Sequence, residues 1–124
     1  MNKKPKILII EDDKNICDLL KINLELEGYE VFVSFNGKDG LKKIYQEKPD
    51  LVLLDLLLPG VDGWEICKQL RSDEQTKKIP IIIISVLTED EGRKPEMGVV
   101  GYLVKPFDIS ILTDEIKKAL RIDY

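Results

Sequence analysis

Leu51-Val52-Leu53-Leu54-Asp55-Leu56-Leu57-Leu58-Pro59-Gly60 sets one carboxylate at the end of an otherwise apolar run. Consecutive Leu and Val residues without alternation describe a strand buried on both faces, as in a parallel sheet covered by helices on each side. Asp55 then stands at the carboxyl end of that strand, the edge where open α/β sheets bind ligands. Pro59-Gly60 and Asp62-Gly63 follow as turn signals that fold a tight loop over the same edge. Taken alone, Asp55 reads as a turn or helix-capping aspartate. The rest of the chain gives it company.

Upstream, Lys6-Ile7-Leu8-Ile9-Ile10 is a second β-rich apolar run, and it ends abruptly in Glu11-Asp12-Asp13. Asp13 suits the cap of a helix from Asn15 to Glu27, with an apolar stripe at Ile16, Leu19, Leu20 and Leu24 and Gly28 as its left-handed stop. Tyr29 to Phe35 alternates as an edge strand, with Val31, Val33 and Phe35 on one side, and Asn36-Gly37 turns the chain. Leu41, Ile44 and Tyr45 mark a second helix that stops before Pro49.

Downstream, Trp64, Ile66, Cys67 and Leu70 take helical spacing from Gly63 to Arg71, with Trp64 as a packing residue. Pro80-Ile81-Ile82-Ile83-Ile84-Ser85 is another buried strand, and it too ends in a polar residue. A fourth helix is expected over Glu89 to Met97, short or broken because Gly92 and Pro95 oppose it. Val99 to Val104 forms the fifth strand and leads into Lys105-Pro106-Phe107. Ile109, Leu112, Ile116, Ala119 and Leu120 then line a last amphipathic helix from Ile109 to Ile122.

Right-handed crossovers and short connections assemble these units into an α/β fold, a doubly wound (βα)5 with a five-stranded parallel sheet in the order 2-1-3-4-5. A chain of 124 residues fits a single domain over residues 1–124 with one core. Strands one and three become neighbours, so Glu11, Asp12, Asp55, Ser85 and Lys105 meet at one end of one sheet.

Composition excludes several chemistries. A net charge of −4, with bases scattered among acids, lacks the clustered basic charge of a nucleic-acid footprint. No apolar run reaches bilayer-spanning length and no basic-then-apolar leader is present, so a cytoplasmic protein without membrane contact is expected. Cys17 and Cys67 lie in different helices and form no Cys-x-x-Cys, which suits core thiols. Histidine is absent, removing Ser-His-Asp and Cys-His arrangements and histidine-ligated zinc.

What remains is oxygen chemistry. Carboxylates crowded at one edge raise each other's pKa unless a cation neutralises them, and an oxygen-only set suits Mg²⁺ better than a transition metal. Beside such an ion a carboxylate can attack a phosphoryl group to give an aspartyl phosphate, while a lysine neutralises the phosphoryl oxygens. No Gly-rich phosphate loop with a following Lys-Ser/Thr is present, so the phosphoryl group comes from something other than a bound nucleoside triphosphate.

These motifs resemble the response-regulator receiver domain of two-component signalling, of the chemotaxis-receiver type, over essentially the whole chain. The resemblance rests on Ile-Leu-Ile-Ile-Glu11-Asp12-Asp13, Leu-Leu-Asp55-Leu-Leu-Leu-Pro59-Gly60-Val-Asp-Gly63, Ile-Ile-Ser85 and Tyr102-Leu-Val-Lys105-Pro106-Phe107, in the family's order and spacing. It implies a flavodoxin-like fold with Asp55 as phosphoacceptor, Asp12 as a direct Mg²⁺ ligand, Glu11 as a ligand through water and the Leu57 carbonyl as a backbone ligand. Ser85 and Lys105 would hold the phosphoryl oxygens, Lys105-Pro106 would be cis, and Tyr102 with Ser85 would form the switch. A sensor histidine kinase or histidine phosphotransfer protein would be the donor, docking near the first helix and the loops around Asp55. The output would be a protein target or a fused domain that this chain lacks, and the chain would be a monomer or a weak phosphorylation-dependent dimer.

Two departures bear on function. The stretch between Ser85 and Lys105 is shorter than is usual in the family, which puts the output face in question. Val86 stands where a small residue is common, and with Leu57 and Leu87 it adds apolar bulk that should hinder an attacking water and slow phosphoryl loss. Two other readings compete: an unphosphorylated receiver-like scaffold, which a full acid pocket opposes, and a Mg²⁺-dependent aspartyl phosphohydrolase. The hydrolase wants a second acid two residues after its nucleophile, and Leu57 occupies that position.

Overall fold

The computed structural model describes residues 3–86 and 98–121. Its elements run β1 (Lys6–Ile10), α1 (Lys14–Leu26), β2 (Glu30–Ser34), α2 (Gly37–Glu47), β3 (Leu51–Asp55), β4 (Leu57–Leu58), β5 (Val61–Asp62), α3 (Gly63–Ser72), β6 (Ile81–Ser85), β7 (Val99–Val104) and α4 (Ile109–Arg121). The helix expected over Glu89 to Met97 lies outside the described residues, as do Leu87 and Ile122.

The five long strands form one sheet in the order β2-β1-β3-β6-β7, every pair parallel. This is the order expected from the sequence. β1, β3 and β6 are flanked on both sides and lie between helical layers, which is why their sequences are unbroken apolar runs. Ile7 and Ile9 face a core that includes Leu20 and Leu24 of α1 and Leu112 and Ile116 of α4. Leu8 and Ile10 face a second core holding Ile44 of α2 and Ile66 and Leu70 of α3.

Local chemistry sets the helix starts. Asp13 caps α1, its carboxylate accepting from the Asn15 and Ile16 amides. Asn36 caps α2 and Asp62 caps α3 in the same way. The Asn36-Gly37 turn of the sequence reading is therefore the first turn of a helix. Gly40, one turn in, lies so close to β1 that a Cβ there would sit 2.6 Å from Ile10 Cδ1.

Three apolar expectations fail for stated reasons. Leu19 belongs to no buried stripe: Cys17, Leu20 and Leu24 take the inward face of α1 and leave Leu19 outside. Phe35 lies past the end of β2 and is exposed, and Val33 is only half-buried on this edge strand.

The tight loop after β3 is itself ordered as a small antiparallel ladder, Leu57 opposite Asp62 and Leu58 opposite Val61, closed through Gly60 at φ +75°. β7 carries one irregularity. Ile81 pairs with Val99 but Ile82 pairs with Gly101, so Val100 is extra. Strict alternation would put Val99 and Tyr102 on opposite faces; the bulge brings both into the core beneath α2 and α3.

Candidate functional site

Glu11, Asp12 and Asp55 come together where β1 and β3 end side by side. Their carboxylate oxygens lie within 4.8 Å of one another, the one such acidic group among the described residues. Glu11 and Asp55 are buried while Asp12 is exposed, so the cluster has a floor and an open rim.

Lys105 crosses the group from the end of β7. Its Nζ donates to Glu11 Oε1 at 2.5 Å and to Asp55 Oδ2 at 3.1 Å. Lys105-Pro106 is cis, as the resemblance implied, and the Lys105 amide donates to the Ser85 carbonyl at 2.7 Å, tying β7 to the end of β6. Ser85 is fully buried at that strand end.

Backbone groups fix both buried carboxylates. The Leu57 amide donates to Asp55 Oδ1 at 3.0 Å, and the β4–β5 ladder holds Leu57 in place. The Asp13 amide donates to Glu11 Oε2 at 3.0 Å. The Glu11 amide donates to the Ser34 carbonyl, and Cys17 Sγ donates to the Glu11 carbonyl at 3.2 Å. The sequence flagged Asp13 as a cap but not as a donor to Glu11. It gave no signal for Cys17 in the site, because a thiol at a core-facing helical position looks like any other small apolar residue.

Burial pushes the Glu11 carboxyl up from its ordinary range, against the Lys105 ammonium and the Asp13 amide, which pull it down. Burial pushes Lys105 down, but its hydrogen bonds to Glu11 and Asp55 outweigh that and hold its ammonium above the ordinary lysine value. The Cys17 thiol is pushed up to about 12, first by burial and then by the acids around it, Glu11 foremost.

The rim is apolar. Leu57 is 51% exposed and Val86 62% exposed. Next to Lys105, Val86 joins Ile16, Leu19, Leu20, Phe107 and Ile109 around a groove of about 380 Å³. Tyr102 is buried in the core beneath α2 and α3.

The donor set fits a hard cation: three carboxylates, two of them desolvated and cross-linked by the ammonium that a metal would relieve, with no sulfur or imidazole among them. The carboxylates of Glu11, Asp12 and Asp55 are the groups that could hold such a cation.

Comparison with known proteins agrees with this geometry. The family model described as the response regulator receiver domain matches residues 7–117. The chain is 42% identical over 119 residues to the DNA-binding dual master transcriptional regulator RpaA of Synechocystis sp., covering 94% of this chain and 49% of that protein. It thus spans about half the length of this curated relative. Among solved structures, a two-component response regulator from Clostridium difficile is similar at 34% identity and TM-score 0.87, covering 95% of this chain and 97% of that one. The chemotaxis response regulator CheY4 of Vibrio cholerae is similar at 27% identity and TM-score 0.85, covering 94% and 99%. With the family match over residues 7–117 and the shared fold, the chain belongs to the response regulator receiver domains of two-component signalling.

Proposed function

We propose that this receiver domain accepts a phosphoryl group from a phosphohistidine onto Asp55, with Mg²⁺ bound, and passes on the change as an altered protein-binding surface. The observation that carries this reading is the desolvated pair Glu11 and Asp55 bridged by Lys105 beside exposed Asp12. A nucleophilic carboxylate, a cation that can turn to incoming oxygens and a rim acid for a metal are what phosphoryl transfer needs.

In the reaction an Asp55 oxygen forms the new bond to phosphorus as the bond to the histidine nitrogen breaks, and that nitrogen keeps the electron pair. The amide of Leu57 holds the other Asp55 oxygen in place. Lys105 neutralises the phosphoryl oxygens with help from the Ser85 hydroxyl. Glu11, Asp12 and Asp55 are the carboxylates that would hold Mg²⁺, which when bound would offset negative charge on the phosphoryl oxygens. Ser85 and Tyr102 make the switch, the hydroxyl following the phosphoryl group and the ring following the hydroxyl.

The chain turns over no external substrate; it catalyses its own phosphorylation and a slow loss of the phosphoryl group. Leu57, apolar and two residues after the nucleophile, offers attacking water neither an acid nor a base, which opposes the hydrolase reading. The donor is a sensor histidine kinase or a histidine phosphotransfer protein that meets the apolar groove beside Lys105. No described helix is long and apolar enough to cross a membrane, and a cytoplasmic site of action fits the two free thiols. The output is a protein target or a domain attached in a longer chain, and self-association is absent or a weak phosphorylation-dependent dimer.

The test is intact mass after incubation with acetyl phosphate and Mg²⁺, beside Asp55→Asn and a metal-free control. A gain of one phosphoryl group that needs both Asp55 and Mg²⁺ is expected, decaying over minutes or longer. Labelling that survives Asp55→Asn, or no labelling from either acetyl phosphate or a phosphohistidine protein, overturns the proposal.

A further inference from the structure

The amino-terminal edge of the sheet, opposite the acid cluster, carries a cavity of about 600 Å³ that the phosphoacceptor chemistry does not use. Lys3, Lys4, Lys6 and Lys48 line it with Glu47 and Asp50, so a chain of net charge −4 gathers an excess of positive charge in one place. β1 begins there at Lys6 and β3 follows Asp50; the far ends of the same two strands carry Glu11 and Asp55. Five steps of strand at about 3.3 Å each put the cavity roughly 16 Å from the acids.

The charged groups divide into a fixed floor and free arms. Lys6 Nζ donates to the Glu47 carbonyl at 3.1 Å and lies 5.9 Å from the centre of the Phe32 ring. The Asp50 carboxylate accepts from the Lys6 amide at 2.7 Å, and the Asp50 amide donates to the Lys6 carbonyl at 2.8 Å. Lys3, Lys4 and Lys48 are exposed, and among the described residues their ammonium groups have no hydrogen-bond or ion-pair partner. Lys48 is also unusual in its backbone. It ends α2 at φ 50° and ψ 62°, its amide donating to the Ile44 carbonyl at 3.0 Å. Glycine or asparagine fills such a left-handed stop with least strain. A lysine there is strained, and it sets its side chain at the cavity wall.

We propose that this cavity binds a chain of linked phosphates, inorganic or carried by a nucleoside, through the ammonium groups of Lys3, Lys4 and Lys48. Linked phosphates set several negative charges within one short run, whereas an acidic peptide spreads one charge over each side chain. Three unpartnered ammonium groups around one cavity suit the denser anion. Lysine, a compact point charge on a flexible stem, meets phosphate oxygens without a fixed angle of approach. Pro5 and Leu120 give the cavity an apolar wall for a base. The ligand is held and not consumed, because the nucleophile Asp55 stands at the other end of the sheet. None of these residues belongs to the acid cluster, so the inference stands or falls apart from the phosphoacceptor reading.

The test titrates tripolyphosphate and adenosine triphosphate, in metal-free buffer at low salt, into the isotopically labelled chain and follows amide shifts by NMR. Shifts should be confined to residues 3–6 and 46–50. Lys3→Gln with Lys4→Gln and Lys48→Gln should weaken binding at least about tenfold, and Glu47→Gln, which removes an acid from the wall, should tighten it about twofold. Lys21→Gln with Lys38→Gln and Lys68→Gln makes the same change in net charge outside the cavity and should leave the affinity unchanged. Unaltered thermal melts without ligand show that the variants are folded. Equal affinity for the two probes assigns the cavity to the phosphate chain alone; tighter binding of the nucleotide adds the base on Pro5 and Leu120. No binding of either probe at millimolar concentration, an equal loss in the control variant, or shifts centred on Glu11 and Asp55 overturns the proposal. A hexaglutamate peptide that binds the cavity as tightly as tripolyphosphate also overturns it and gives the site to an acidic protein segment.

Discussion

Replacing Lys105 by Met removes the ammonium that, among the described residues, bridges Glu11 and Asp55, while keeping most of the side-chain volume. Two desolvated carboxylates then face each other, and the molecule must hold the charge or take up a proton. Breaking a buried pair from one side costs about 3–5 kcal/mol. Protonation sets a ceiling: keeping one carboxyl neutral at pH 7, against an ordinary value of 4.5, costs about 3.4 kcal/mol at 1.36 kcal/mol per unit. Because the Lys105 side chain is partly open, 16% exposed, the expected loss at pH 7 is nearer the low end, about 3 kcal/mol, or roughly 12 °C in Tm for a domain of this size.

The sign of the pH dependence follows from proton binding. In the variant the folded state binds a proton that the unfolded state lacks above pH 4.5, so stability falls as pH rises. The ceiling shrinks to about 0.7 kcal/mol at pH 5, where an ordinary carboxyl of 4.5 is already about a quarter protonated. The assay is urea unfolding of wild type and variant at pH 5, 6 and 7, each with and without Mg²⁺. Mg²⁺ should rescue the variant more than the wild type, since it then supplies the only cation for the cluster. A loss that is the same at pH 5 and pH 7, or one below about 1 kcal/mol throughout, would refute the idea that Lys105 stands in for a metal between buried acids.

The other expectations test separate parts. Asp13→Ala should cost about 1 kcal/mol through the lost cap and Asp13→Asn much less, with Mg²⁺ affinity unchanged in both because the Asp13 amide to Glu11 is backbone; urea melts and a Mg²⁺ titration read the two. Gly63→Ala would bring a Cβ to 2.7 Å from Leu56 Cα, so it should lose about 1–3 kcal/mol by overpacking and slow acetyl phosphate labelling by displacing the backbone on either side of Leu56. Cys17 and Cys67, with thiols pushed up to about 12 from 9.0, should react with iodoacetamide at pH 8 at least about a thousandfold more slowly than a free cysteine, by mass spectrometry. The folded pKa is raised, so their contribution to stability is present below pH 9 and is lost as pH climbs towards 12; a fall in stability below pH 8 would not come from them.

Much of this fold can be read from residue order because parallel strands covered on both faces must be apolar throughout. Leu51 to Leu54 and Ile81 to Ile84 have no other stable use. Once strands one and three are neighbours, the acids that end them must meet, so the site follows from topology before any distance is known. Leu19 escapes the sequence pattern because a stripe of apolar residues on a helix does not say which of its members faces inward; Leu20 and Leu24 share the inward side with Cys17, and Leu19, about 160° round the helix from Cys17, faces out. The β4–β5 ladder looks like turns alone in the sequence, since two-residue strands leave no periodicity to detect. The amide donors to Glu11 and Asp55 are invisible in the sequence for another reason. A backbone amide carries no residue identity, so Asp13 N–H and Leu57 N–H become ligands of the carboxylates only when the chain has folded.

The extra residue at Val100 has a consequence for how this sequence can drift. Gly101 to Val104 take their phase from pairing with β6, from Ile82 to Ser85, and not from whatever precedes them. A residue gained or lost upstream can therefore be taken up at the bulge, like slack in a rope, while Lys105 still arrives above Glu11. Without that slack, each change of length before β7 would turn its side chains over and carry the lysine to the wrong side of the sheet. The connection that enters β7 is in this way insulated from the acid cluster, and its length is free to vary without retuning the chemistry.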